Sequence, residues 1–162
     1  MNPLPHTLRC FVCGEANPLG LKLRFQSDGR VVRGEFRPRA EHNGFKEVVH
    51  GGIISTVLDE IMVWACAVQT RQFGFCAELN VRFQHPLRPG ELAIATAELV
   101  SNRRNRIFEA KGELRSTQGT LFATSTGKYL PISADDREVL LTEFIGDVRQ
   151  FRDPAPSGRQ AI

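Results

Sequence analysis

The chain has 162 residues, 41% hydrophobic and 24% charged, with a net charge of +3 spread over 17 arginines and 4 lysines. That balance predicts one globular domain and excludes the basic stripe of a nucleic-acid binder. No stretch reads as the roughly 18 consecutive apolar residues of a membrane helix, and the opening Met1-Asn2-Pro3-Leu4-Pro5-His6 lacks a secretory leader's basic head and apolar run; no membrane contact and a cytoplasmic location are expected.

Cys10-Phe11-Val12-Cys13 has the spacing of half a zinc site. A closed site wants four ligands, and no second such pair exists. His6 or a symmetric partner chain could add ligands, but the reading is a structural turn, with no metal. Cys66 and Cys76 lie in or beside apolar runs and read as small core residues. Residues 1–18 are taken as an N-terminal extension.

Segment 19–37 reads as a hairpin. Leu21, Leu23 and Phe25 alternate with Lys22, Arg24 and Gln26, Ser27-Asp28-Gly29 turns the chain, and Val32, Gly34 and Phe36 share one face of the return strand. Residues 38–50 show no periodicity and read as a loop. Residues 51–70 are the long helix, apolar nearly all round and therefore buried. Period two returns from 75 to 130 in four strands. The first is Ala77, Leu79, Val81 and Phe83 against Glu78, Asn80, Arg82 and Gln84; the others span Leu92–Val100, Phe108–Leu114 and Leu121–Leu130. A short helix over 134–145, capped by Ser133 or Asp135, and a disordered tail from Asp153 complete residues 133–162. The order predicts an α+β domain over 19–132, a long antiparallel sheet wrapped around one helix. The strand after the helix could lose its free edge by pairing with its copy in a second chain.

Chemistry concentrates at that helix. It opens with His50-Gly51-Gly52, whose glycines weaken a helix but admit close approach to the backbone. Its first N–H groups lack intrahelical partners and sit at the positive end of the dipole, where an oxyanion would be stabilised. Asp59, two turns on, shares a stripe with Gly52, Ser55, Val63 and Cys66. A carboxylate on an apolar helix is costly unless paired; it is either catalytic or a hydrogen-bond hub with Thr56 or a strand residue. Glu60 points about 100° away and is expected to meet an arginine or solvent. His42, Asn43 and His50 flank the region. His50 reads either as a functional group or as a helix-start residue holding a loop carbonyl, and Asn43 as a turn residue or a group that orients water.

The run from His50 to Glu60, with Asp59 nine positions after His50, resembles the signature of hotdog-fold acyl-CoA thioesterases of the phenylacetate-degradation type, within the 4-hydroxybenzoyl-CoA thioesterase superfamily. Cys13-Gly14 with Asn17-Pro18-Leu19-Gly20-Leu21, and the segment Phe83–Glu91, are similar to further parts of that family. The resemblance implies a hotdog fold, a dimer as minimal unit, and a site at the subunit interface. Matched by position, it implies Asp59 as nucleophile or general base, the Gly51 amide as oxyanion donor, and Asn43, or His42 if the loop shifts register, as the group that positions water. His50 is expected to complete the catalytic set, and His42 and Gly52 to contact the substrate.

The expected function is hydrolysis of an acyl-CoA to free acid and CoA by a homodimer or homotetramer. No cofactor is expected beyond the CoA of the substrate. The turn Arg103-Arg104-Asn105-Arg106 is the candidate for the CoA phosphates, because guanidinium groups bind phosphate bidentately. Two rivals use the same fold: a non-catalytic acyl-CoA or lipid binder, which would not need Asp59, and an acyl-thioester dehydratase.

Overall fold

The computed structural model describes residues 1–152. In chain order it holds β1 (Asn2–Pro3), β2 (His6–Thr7), β3 (Phe25–Ser27), β4 (Val31–Phe36), a 3-10 turn (Ala40–His42), β5 (Asn43–Phe45) and β6 (Val48–Val49). The helix α1 (Gly51–Thr70) leads to β7 (Gly74–Phe83), β8 (Ala93–Arg103), β9 (Ile107–Ser116) and β10 (Leu121–Pro131), then α2 (Ala134–Leu141), β11 (Phe144–Ile145) and a 3-10 turn (Arg149–Phe151). Seven strands form one antiparallel sheet in the order β1-β3-β4-β8-β9-β10-β7. The α+β sheet-around-helix expectation holds, and α1 spans the residues the sequence predicts.

The sheet wraps α1 because its inner positions alternate as the sequence requires. Phe108, Ala110, Leu114 and Ser116 of β9 are buried between more exposed neighbours. Small residues let the helix come close: Ala93, Ala95 and Ala97 line β8, and a Cβ on Gly112 would lie 3.3 Å from the Met62 side chain. Leu58, Ile61 and Met62 are fully enclosed and Trp64 nearly so, each worth roughly 1.5–3 kcal/mol of burial. Beyond the helix, Trp64 meets Phe73, Phe144 and Phe151 edge-on at 5.3, 5.6 and 5.9 Å. That cluster docks the segment after α2, which Ser133 caps through the Asp136 amide. α1 stops at Arg71, left-handed at φ 58°.

Three expectations need correction. α1 is long and apolar enough to cross a membrane, with a mean hydropathy of 1.5 over its best window; the sheet and the aromatic cluster cover its apolar side, which makes it a core helix. Residues 21–24 are not a strand. Lys22 is left-handed at φ 61°, and its ammonium reaches back to the carbonyls of Gly14, Glu15 and Asn17, holding this stretch as a closed loop. The N-terminus is also tied in: β1 pairs with β3, and β2 with β11. The tail expected to be disordered lies outside the described residues.

Candidate active site

The loop before α1 folds into the β5–β6 hairpin, and the Val49 amide bonds the Leu87 carbonyl. Between hairpin, helix start and the end of β7 lies an apolar cleft of about 460 Å³, whose wall includes Gly44, Phe45, His50, Gly51, Ile54 and Phe83. Phe45 is 83% exposed and Phe83 52% exposed at its mouth.

The helix start accounts for all but one of its first donors. His50 caps it, Nδ1 accepting the Gly52 amide at 2.8 Å. The ring therefore holds an amide rather than a loop carbonyl. The Ile53 and Ile54 amides bond the His50 carbonyl. Among the described residues none accepts from the Gly51 amide, and Gly51 lines the cleft. One unspent N–H at a helix N-terminus, facing an apolar cleft, is a place for a carbonyl oxygen that gains charge. The glycines also have packing reasons. A Cβ at Gly51 would meet the Phe83 ring at 3.1 Å, and one at Gly52 the His50 Nδ1 at 2.9 Å.

Asp59 lies on the half-exposed side of α1, with Ser55, Thr56 and Val63. The strand residue that holds it is Tyr129, whose hydroxyl donates to Asp59 Oδ1 at 3.0 Å. Thr56 bonds the Gly52 carbonyl instead. Tyr129 is wholly buried; burial and then the Asp59 charge push its phenol far up, so it remains a donor. Gly127 makes room for the ring, since a Cβ there would lie 2.8 Å from it. Cys76 is half-buried beside Asp59 rather than a core residue, and burial raises its thiol to about 11, the Asp59 charge adding to it.

Within one chain these pieces do not converge. Eight residue steps of helix separate Gly51 from Asp59, about 12 Å along the axis. His42 is buried against Phe36, with Nδ1 accepting the Arg39 amide, and burial then Arg39 lower its pKa. Asn43 is exposed on β5, and neither residue lines the cleft. The arginine turn lies at the far end of β8 and β9 from Phe83, close to the level of Tyr129, which pairs with Phe108. Arg103 meets Glu109 at 2.9 Å, while Arg104 and Arg106 have no ion pair among the described residues. Arg104 and Asn105 are both left-handed, at φ 55° and 56°.

Glu60 departs from expectation. Among the described residues it meets no arginine. Its neighbours are the Cys10 thiol at 3.7 Å and the Trp64 indole N–H at 3.3 Å. Burial, and then Cys10, push its carboxyl up to about 8. Tyr129 and Cys10 carry no local signal for these roles, because their contacts with α1 span 70 and 50 residues.

One long antiparallel sheet wrapped around an apolar helix is the hotdog fold. Residues 46–123 match the family model of the thioesterase superfamily. A solved thioesterase superfamily protein is 27% identical, with a TM-score of 0.69 over 75% of this chain; the chain spans 63% of that protein's length. The Escherichia coli PaaI protein, from the phenylacetic acid degradation operon, is 20% identical at TM-score 0.63, over 70% of this chain and 81% of its own. A Streptococcus mutans protein solved with acetyl CoA is 12% identical at TM-score 0.64, over 68% and 89%. No curated protein matches the chain by sequence.

Proposed function

We propose that the chain hydrolyses acyl-CoA thioesters as a homodimer, each site combining the Gly51 amide of one protomer with Asp59 of the other. The observation that carries this reading is the placement of both groups along β7. That strand is ten residues long and forms an edge of the sheet, with unpaired backbone groups on its outer side. Phe83 at one end touches Gly51, and Cys76 near the other end touches Asp59. Antiparallel pairing of β7 with its copy, centred on Asn80, sets Phe83 opposite the partner subunit's Ala77, next to the partner's Cys76. The two-fold axis then brings each Gly51 amide to the other protomer's Asp59, and the half-exposed side of α1 gains a neighbour.

In that arrangement the thioester carbonyl accepts from Gly51 N–H. Tyr129 occupies Asp59 Oδ1, leaving Oδ2 to take a proton from water or to attack the carbonyl carbon directly. The thiolate of CoA leaves; on the direct route water then cleaves the acyl–Asp59 anhydride to free acid and carboxylate. Arg104 and Arg106 sit at the Asp59 end of the sheet, without an ion pair among the described residues, and can take the CoA phosphates. The S. mutans neighbour's acetyl CoA supports a CoA thioester as the ligand class.

The test is an acyl-CoA panel with free-thiol detection. Wild type releases thiol; Asp59→Asn releases it about 10²–10⁴-fold more slowly, the usual worth of one acid/base group, with an unchanged melting profile. Equal rates in the two proteins would remove Asp59 from the chemistry. Tight binding of acyl-CoA with no turnover in either would favour the non-catalytic binder.

A further inference from the structure

We propose that Cys10, Cys13 and Glu60 form a site for a thiophilic divalent cation of the zinc class, which staples the N-terminal loop to the central helix beside Asp59. The sequence shows half such a site and no matching second pair; the fold supplies the third ligand from α1, fifty residues on. The two sulfur atoms and a Glu60 oxygen all lie within 4.8 Å of one another. Cys10 Sγ is 3.7 and 3.8 Å from the two Glu60 oxygens. Tetrahedral ligands at zinc–sulfur and zinc–oxygen bond lengths stand about 3.6 Å apart. Three atoms no more than 4.8 Å apart share a point within about 2.8 Å of each, so a closure of a few tenths of an ångström reaches zinc–sulfur and zinc–oxygen bond lengths. Three protein ligands leave a fourth position for water.

The surroundings are built to hold ligands. The Val12 amide donates to Cys10 Sγ at 3.2 Å, and the Gly14 amide closes the turn on the Cys10 carbonyl at 2.9 Å. A Cβ at Gly14 would lie 2.2 Å from that oxygen, so only glycine completes this turn. Thr7 Oγ1 accepts the Cys10 amide and lies 3.4 Å from Cys13 Sγ. The Trp64 indole orients Glu60, as partners behind metal ligands do. His6 is not a ligand; it bonds Glu15 at 2.8 Å. A cation also accounts for a carboxylate whose end is enclosed and which meets no basic side chain among the described residues. Without it, the loop from Leu8 to Arg24 is held to the body by the burial of Val12, Cys13 and Leu23 and by the Leu8 amide on the Glu143 carbonyl.

The test uses the full chain, reduced, stripped with chelator and titrated with cobalt(II). The expected result is one cobalt per chain, with sulfur-to-cobalt charge-transfer absorption that zinc abolishes, and a higher melting temperature in the metal form. Cys13→Ser loses the absorption. Glu60→Gln, which keeps size and both thiols, binds cobalt more than about tenfold more weakly, while Cys76→Ser titrates as wild type. Circular dichroism confirms that each variant is folded. A wild type with four titratable thiols and no thiolate–cobalt band overturns the proposal. So does a Glu60→Gln variant that titrates as wild type, or a Cys10–Cys13 disulfide in protein purified without oxygen.

Discussion

Replacing Gly51 by proline removes one N–H and almost nothing else. Position 51 is the first helical residue, where proline's fixed φ and missing donor are tolerated. His50 before it is already extended, at φ −60° and ψ 131°, the conformation proline asks of its predecessor. No hydrogen bond is lost inside the chain, because the Gly51 amide has no acceptor among the described residues. The added Cβ must move the Phe83 ring from 3.1 Å by a few tenths of an ångström. That strain offsets the roughly 0.4–1 kcal/mol gained from a stiffer unfolded chain, so stability should change by less than about 1 kcal/mol. The melting temperature then moves by no more than about 4 °C for a chain of this size. Catalysis should fall far more, since one oxyanion donor is worth about 10²–10³ in kcat, or about 2.7–4 kcal/mol. Gly51→Ala is the control, as it makes the same approach to Phe83 but keeps the amide. The assay is thiol release under single-turnover and steady-state conditions. If Gly51→Pro and Gly51→Ala lose equal activity, the amide is not the donor and only the Phe83 contact matters.

Tyr129→Phe removes the hydroxyl that holds Asp59 Oδ1, a hydrogen bond at a half-buried carboxylate whose loss should cost about 1 kcal/mol of stability; kcat should drop with KM nearly unchanged, and a shift in KM alone would contradict a positioning role. Arg104→Gly relieves a left-handed residue and deletes a cation, so the melting temperature should hold or rise while KM for acyl-CoA rises and its salt dependence flattens. An unaltered KM would remove the turn from CoA binding. Asn80→Cys places a thiol on the proposed two-fold axis, where opposed strand residues lie within disulfide reach. Mild oxidation should give a covalent dimer absent from wild type, read on a non-reducing gel.

The parts legible in sequence are those set by periodicity. The helix over 51–70 and the alternation at Leu79, Val81 and Phe83 needed only local pattern. Residues 21–24 alternate equally well, yet Lys22 breaks the strand. Its left-handed backbone is fixed by three carbonyls that only the folded loop brings together. Asp59 stood out as a charge on an apolar helix. Its partner did not, because a tyrosine in a β-strand is an ordinary strand residue until the helix lies against it. Helical angle alone predicts an arginine or solvent beside Glu60; the direction is right, but a loop whose path follows from no sequence pattern lies there.

The most direct measurement is made on a heterodimer. Asp59→Asn and Gly51→Pro chains carrying different tags are co-expressed, and the mixed dimer is purified by both tags. Sites shared between protomers leave one intact site out of two, so the mixed dimer should recover about half of wild-type turnover from two nearly inactive parents. A mixed dimer as inactive as its parents would place Asp59 and Gly51 in the same chain's site and contradict the shared-site account.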